Sequence, residues 1–367
     1  MDSSDPHIYF DQNGISNHYW DFLKYSKPNL LFYKNGLNLL DEEVQKIKNE
    51  SKGKDFDCIL GLSGGMDSSF MLHTMVTKYN LKPLVFHVDG GWNTELAVNN
   101  INNLVDKLGL DLFTEVIDWN EMREFQLAMF KSGVPHIDIP QDMAFFAVLY
   151  KFAKKYNVKT ILNGGNIATE SVLRPFNLIY YGGDMIQIKD ILRKNSSFQL
   201  NTFPLISIFY KKIWLRIIEK IKVFKPLNYI DYNKKEAQKI LSKTYDWKPY
   251  TQKHFESRFT RFYEGYWLTE RFKFDMRRTE LSSLILSNQI SRKNALEILK
   301  HPPLEKSFAE KEFNYIATKL EISKDELFYY FKMPKKYYWD YANNKKLLEI
   351  GEKFINLISP LRRGGAF

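Results

Sequence analysis

Seven consecutive residues, Ser63-Gly64-Gly65-Met66-Asp67-Ser68-Ser69, have the types and order of an anion site. Two glycines let the backbone turn sharply and aim its N–H groups at one place. Three serine hydroxyls add donors for phosphate oxygens, and a helix starting here would add the positive end of its dipole. Asp67 cannot itself attract a phosphate, which assigns it to a Mg2+ ion that bridges phosphates. A Walker loop needs Gly-Lys-Ser/Thr, and no lysine follows these glycines; the dinucleotide fingerprint G-x-G-x-x-G is also missing. A helix cap after a glycine turn would need only two of the seven.

The flanking residues supply the elements such a turn requires. The apolar run 57–62 breaks into the two glycines as a buried parallel strand would, and Phe70, Met71, Thr74, Met75 and Lys78 follow at helical spacing. Residues 84–88 read as a second strand and 112–117 as a third. Between them Ala97, Ile101, Leu104, Val105 and Leu108 make an apolar helical stripe that Gly109 stops. A long apolar helix over 140–156 leads to a fourth strand at 160–162, which ends at Gly164-Gly165. Alternating strands and helices predict an α/β fold, a doubly wound parallel sheet with right-handed crossovers. Ligands of such sheets bind at the carboxyl ends of the strands, where the breaks after Leu62, Val88 and Leu162 fall. Beyond residue 200 the pattern is helical, over 234–244, 256–271, 291–300 (with Ser291 as cap) and 344–357. The expected organisation is an N-terminal extension (1–55), an α/β domain that carries the anion turn (56–200) and a mainly helical C-terminal region (201–367).

Composition narrows the classes. Hydrophobic residues at 44% and charged ones at 26% make a globular chain, not a disordered one. A net charge of +10 favours polyanionic ligands, yet the lysines are scattered rather than blocked into a nucleic-acid patch. The single cysteine, Cys58, excludes an internal disulfide and a cysteine-based zinc cluster. With no apolar run in residues 1–10, a cytoplasmic protein is expected. Residues 203–218 are too short and too charged to span a bilayer, and read best as a partly buried helix.

Residues 63–69 resemble the S-G-G-x-D-S-[ST] signature of the PP-loop ATP pyrophosphatases, the group of GMP, NAD and asparagine synthetases and several tRNA-modifying enzymes. The resemblance implies an adenine nucleotide alpha hydrolase-like fold and cleavage of ATP to AMP and pyrophosphate through an adenylylated intermediate. It places Leu62, Ser63, Gly64, Gly65, Asp67, Ser68, Ser69, His87, Val88, Asp89, Asn163, Gly164 and Gly165 around ATP. The turn 163–170 is similar to one in NAD synthetase whose glutamate shares the metal, which implies Glu170 as the second Mg2+ ligand beside Asp67.

The stretches 136–141, 164–171, 254–262, 274–278 and 281–285 resemble N-acetyl sugar amidotransferases of surface-polysaccharide and nonulosonate pathways. Those enzymes turn an acetamido group into an acetamidino group. The resemblance implies a sugar or nucleotide-sugar substrate, and ammonia from a separate glutaminase with a cyclase-like channel subunit. His254, Glu256 and Arg258 sit on a polar segment read as the start of a helix, with 254 and 258 on one face. They are candidate catalytic groups together with Asp67, and Arg261, Arg277 and Arg278 are candidate grips for a sugar carboxylate or phosphate. Relatives often open with cysteine pairs, where this chain has Ser16 and Tyr19. His18 alone cannot hold zinc, so no structural zinc is expected. The rival readings are a PP-loop tRNA-modifying enzyme and a nucleotide-binding scaffold without catalysis; neither nucleic acid nor membrane insertion is expected.

Overall fold

The computed structural model describes residues 1–358. Five parallel strands form one sheet in the order β3-β2-β1-β4-β5: β1 (Cys58–Gly61), β2 (Pro83–Asp89), β3 (Leu112–Val116), β4 (Thr160–Leu162) and β5 (Lys222–Phe224). β1 pairs with β2 on one side and with β4 on the other. The chain therefore winds outward from β1 to β3, then returns to start β4 on the opposite side. This reversal opens a crevice at the carboxyl ends of β1 and β4, the place where doubly wound sheets bind ligands.

The pleat sends alternate residues to opposite faces. Ile59, Leu84, Phe86 and Ile161 enter one apolar cluster, while Cys58, Leu60, Val85 and Leu162 enter another. The second cluster is closed by α1 (Gly36–Glu50), α2 (Met66–Thr77), α3 (Glu95–Leu108) and the later helix Lys234–Tyr245. The first is larger. It takes in α4 (Trp119–Ser132) and α5 (Ile139–Lys155), and runs on to Phe259, Trp267, Ile316 and Tyr341. The C-terminal helices thus share a core with the sheet, and loops from residue 232 onward reach its binding edge.

The sequence places β1 to β4 and their helices within a few residues. Thr94 caps α3, accepting from the Ala97 N–H, and Gly109 ends it at a positive φ of 63°. The elements beyond that reading include the helix Met185–Asn195, α4 and β5. α4 buries nine of its residues, among them Glu121, Gln126 and Ser132, so polar positions interrupt the apolar stripe that spacing would reveal. β5 lies in the stretch expected to be helical, and only three residues long it carries no period. In the segment 203–218 the partly buried helix is present over Tyr210–Ile218, where Leu215 is buried and Ile213, Trp214, Ile217 and Ile218 are exposed. Among the described residues no helix is long and apolar enough to cross a membrane. In the N-terminal segment the Asp11 carboxylate accepts from the N–H groups of Asn13 and Ile15, and His18 pairs with Asp5 at 2.8 Å.

Candidate active site

The turn after β1 is shaped by its neighbours. Gly64 holds a φ of 81°, and a Cβ there would meet the Ala97 carbonyl at 2.8 Å, so both conformation and space require glycine. Its carbonyl accepts from Trp247 Nε1 and from the Tyr250 hydroxyl, each at 3.1 Å. Ser63 Oγ accepts from the Gly65 N–H at 3.2 Å, and Ser68 Oγ donates to the Gly65 carbonyl at 3.1 Å. Ser69 Oγ is buried and has no partner. Leu62 donates its N–H to Phe86 and lends its carbonyl to His87 Nδ1 at 2.8 Å. That assigns the proton to Nδ1, so Nε2 accepts from Asn93 at 2.8 Å. Asp89 accepts from Asn93 and from the Gly91 N–H, which fixes the loop after β2.

The turn after β4 presses against the first. A Cβ on Gly164 would stand 3.0 Å from both the Asp67 carbonyl carbon and the Ser68 nitrogen. Asn163 Oδ1 accepts from the Gly165 N–H at 2.7 Å, and Asn166 caps the short helix Ile167–Glu170. Asp67 and Glu170 then converge on one cation: Lys253 Nζ lies 2.9 Å from Asp67 Oδ2 and 2.6 Å from Glu170 Oε1. Tyr232 donates its hydroxyl to the other oxygen of Asp67. Burial would raise both carboxyls, but the Lys253 charge and its hydrogen bonds, joined at Asp67 by the Tyr232 hydroxyl, together outweigh it and hold them below their usual range. Burial likewise works against the ammonium, and the two carboxylates outweigh it.

Two carboxylates that share one cation fit a Mg2+ ion, which keeps waters and phosphate oxygens as its other ligands. Among the described residues there is no group of three or more His, Cys, Asp or Glu able to hold a metal by itself.

Glu256 enters from the C-terminal half. Its Oε1 is 3.3 Å from Ser63 Oγ, and a Cβ on Gly65 would lie only 2.7 Å from it. Burial pushes this carboxyl above its ordinary range, which softens the conflict between a carboxylate and an anion site. The helical reading of this segment is corrected. His254 has a φ of 66°, and the helix starts only at Arg258, where the Ser257 hydroxyl caps it by accepting from the Thr260 N–H. His254 and Arg258 therefore share no helix face. Burial, then Lys253 and Arg174, push the His254 imidazole down to about 4, so it is neutral at pH 7 and an acceptor rather than an acid.

The four arginines are engaged elsewhere. Arg258 and Arg261 both pair with Glu312, at 2.8 and 3.0 Å, and Arg258 lies over the Tyr315 ring. Arg277 pairs with Asp275 at 2.6 Å and Arg278 with Asp2 at 2.6 Å. The structure thus gathers Ser63, Gly65, Asp67, Gly164, Gly165, Glu170 and Glu256, with Lys253, Tyr232, Trp247 and Tyr250 added. Those four lie far from the motif in sequence and have no local signature.

A buried central strand, the S-G-G-x-D-S-S turn and a helix, set at the reversal of a parallel sheet, have the arrangement that the resemblance of residues 63–69 to the PP-loop ATP pyrophosphatases leads one to expect. Residues 256–355 match the family described as "LPS biosynthesis protein WbpG-like, C-terminal domain". A stretch of 97 residues is 30% identical to the "Uncharacterized protein MJ1599" of Methanocaldococcus jannaschii. It covers 26% of this chain and 35% of that protein, so the chain spans about a third of that relative's length. Solved structures with partial likeness include an NMN synthetase from Francisella tularensis, with 14% identity, 81% and 98% coverage of this chain and that one, and a TM-score of 0.31. An NH3-dependent NAD synthetase from Campylobacter jejuni has 13% identity, 82% and 98% coverage and a TM-score of 0.25. The U34-tRNA thiolase NcsA from Methanococcus maripaludis has 12%, 73% and 82%, and 0.29.

Proposed function

We propose that this chain is an ATP-dependent amidotransferase of surface-glycan synthesis, which converts the acetamido group of an N-acetyl sugar into an acetamidino group. The observation that carries the ATP chemistry is the convergence of Asp67 and Glu170 on one cation position beside the Ser63–Gly65 turn. The similarity of residues 256–355 to a lipopolysaccharide-biosynthesis family supports a glycan substrate.

An amide carbonyl is a poor electrophile. Its oxygen attacks the α-phosphorus of ATP, a P–O bond forms, the α–β anhydride breaks, and pyrophosphate leaves. Ammonia adds to the resulting imidate carbon and gives up a proton, the C–O bond breaks, and AMP departs with the former amide oxygen. The turn residues hold phosphate oxygens through N–H and hydroxyl donors. Asp67 and Glu170 would hold Mg2+, which would supply neutralisation of phosphate charge, and Lys253 adds a second positive charge beside them. Neutral His254, or Glu256, takes the proton from the nucleophile. Cys58 is fully buried in β1 and burial raises its thiol, so it cannot release ammonia from glutamine. Ammonia then comes from a partner glutaminase, with a cyclase-like subunit as its channel.

The test is pyrophosphate release from Mg-ATP and ammonium with UDP- and CMP-linked N-acetyl sugars, beside Asp67→Ala. One sugar that triggers release and gains an amidine by mass, with the variant at least 100-fold slower, supports the reading. Release triggered by bulk tRNA and by no sugar would transfer the same ATP chemistry to a nucleobase.

A further inference from the structure

A second cluster of polar side chains is tied through Gln141 and Ser257 to the loop that brings Glu256 to the phosphate turn. His136 and Tyr263 are 6% and 1% exposed, and their rings lie nearly parallel at 6.2 Å. His136 Nδ1 and the Tyr263 hydroxyl are buried with no hydrogen-bond partner. Groups like these normally find one, so each points to a missing ligand. His136 Nε2 faces Asp142 Oδ2 at 3.8 Å, and the Asp142 side chain is 52% exposed, which leaves the cluster open to solvent on that side.

Asp138 and Glu264 complete the acidic wall, and both are buried. Asp138 is fixed by Thr260 Oγ1 at 2.7 Å and by the Gln141 amide. Gln141 Oε1 in turn accepts from Ser257 Oγ at 3.0 Å, next in the chain to Glu256 on the Ser63 hydroxyl. The cluster is therefore built onto the same loop that closes the ATP site. Burial pushes Asp138 and Glu264 up to about 8, with the Asp142 and Asp138 charges respectively adding to it and Arg174 opposing it in both. Crowding by protein also pushes Asp142 up, but His136 and Arg174 more than offset this and keep it ionised. Arg174 makes no ion pair among the described residues, although its charge reaches all three carboxyls. At neutral pH the Asp142 and Arg174 charges cancel, while Asp138 and Glu264 present both a donor and an acceptor. A wall of this kind suits a ligand rich in hydroxyl and amide groups and without a charge of its own.

We propose that His136, Asp138, Asp142, Tyr263 and Glu264 form the acceptor pocket, which takes the uncharged ring of an acetamido sugar beside the α-phosphate of ATP. The sugar's identity rests on the amidotransferase reading above. Tyr263 and Glu264 grip the ring, and Arg174 balances Asp142.

Saturation-transfer NMR on the full chain with AMPCPP and Mg2+ tests this, using N-acetylglucosamine, N-acetylgalactosamine, their UDP conjugates and UDP alone as probes. The expected result is transfer to the acetyl methyl of at least one sugar. Tyr263→Phe and Glu264→Gln each weaken that binding at least tenfold, while AMPCPP affinity changes less than twofold and circular dichroism stays native. Transfer to no sugar, transfer to the UDP moiety alone, or unchanged sugar binding in both folded variants overturns the proposal. Failure of AMPCPP itself to bind the wild type sinks the ATP-site reading instead, and the sugar signal still decides the pocket.

Discussion

Lys253 is the residue on which the site turns, because it neutralises two carboxylates that would otherwise repel each other. Lys253→Met should lower stability in EDTA by about 2 kcal/mol; this is less than for a fully buried pair, since Glu170 remains accessible to solvent. Millimolar Mg2+ should restore part of that loss in the variant and change the wild type little, as read by thermal melts. Equal destabilisation with and without Mg2+ would mean that the two carboxylates do not share a metal position. Nothing in its local pattern singles out Lys253: one lysine in a polar loop looks like every other lysine of a basic chain. Asp67 was legible because its neighbours Ser63 to Ser69 have an order that simple capping does not need. Glu256 was legible as a residue but not as a place, because the αL backbone at His254 turns the segment off the helix that the spacing suggested.

Elements position these groups through close contact of two turns. Gly164→Ala puts a methyl carbon against the backbone of Asp67 and Ser68, so one turn must shift by a few tenths of an ångström. ATP affinity should fall about tenfold by titration calorimetry, since small displacements at a phosphate site cost large factors. Trp247→Phe removes one of two donors to the Gly64 carbonyl. The net value of such a bond is about 1 kcal/mol, so a fivefold weaker ATP affinity is expected, with the sheet intact by far-UV circular dichroism. The four-strand core and its helices were readable because β1 to β4 alternate with strongly periodic or long apolar helices. β5 was not: Phe224 is its buried residue, and a strand of three residues is recognised only by its pairing with β4.

Across the whole molecule, the shared core means that acid–base behaviour at the acceptor pocket is felt in global stability. The folded-state values of Asp138 and Glu264 lie above the ordinary carboxylate range, at about 8. Their contribution is fully present below about pH 4 and is lost as pH rises through 8, because the folded state binds more protons across that window. The melting temperature of the wild type relative to the double variant Asp138→Asn, Glu264→Gln should therefore fall from pH 5 to pH 8. A difference that stays flat over that range would place both carboxyls in ordinary solvent. The central claim, that an amide oxygen is adenylylated at the Ser63–Ser69 turn, has a direct isotopic test. An acceptor sugar labelled with 18O in its acetyl carbonyl is turned over with Mg-ATP and ammonium, and the AMP is weighed by mass spectrometry. The account predicts one 18O in each AMP for each amidine formed. Unlabelled AMP, or ADP and phosphate in its place, would contradict it.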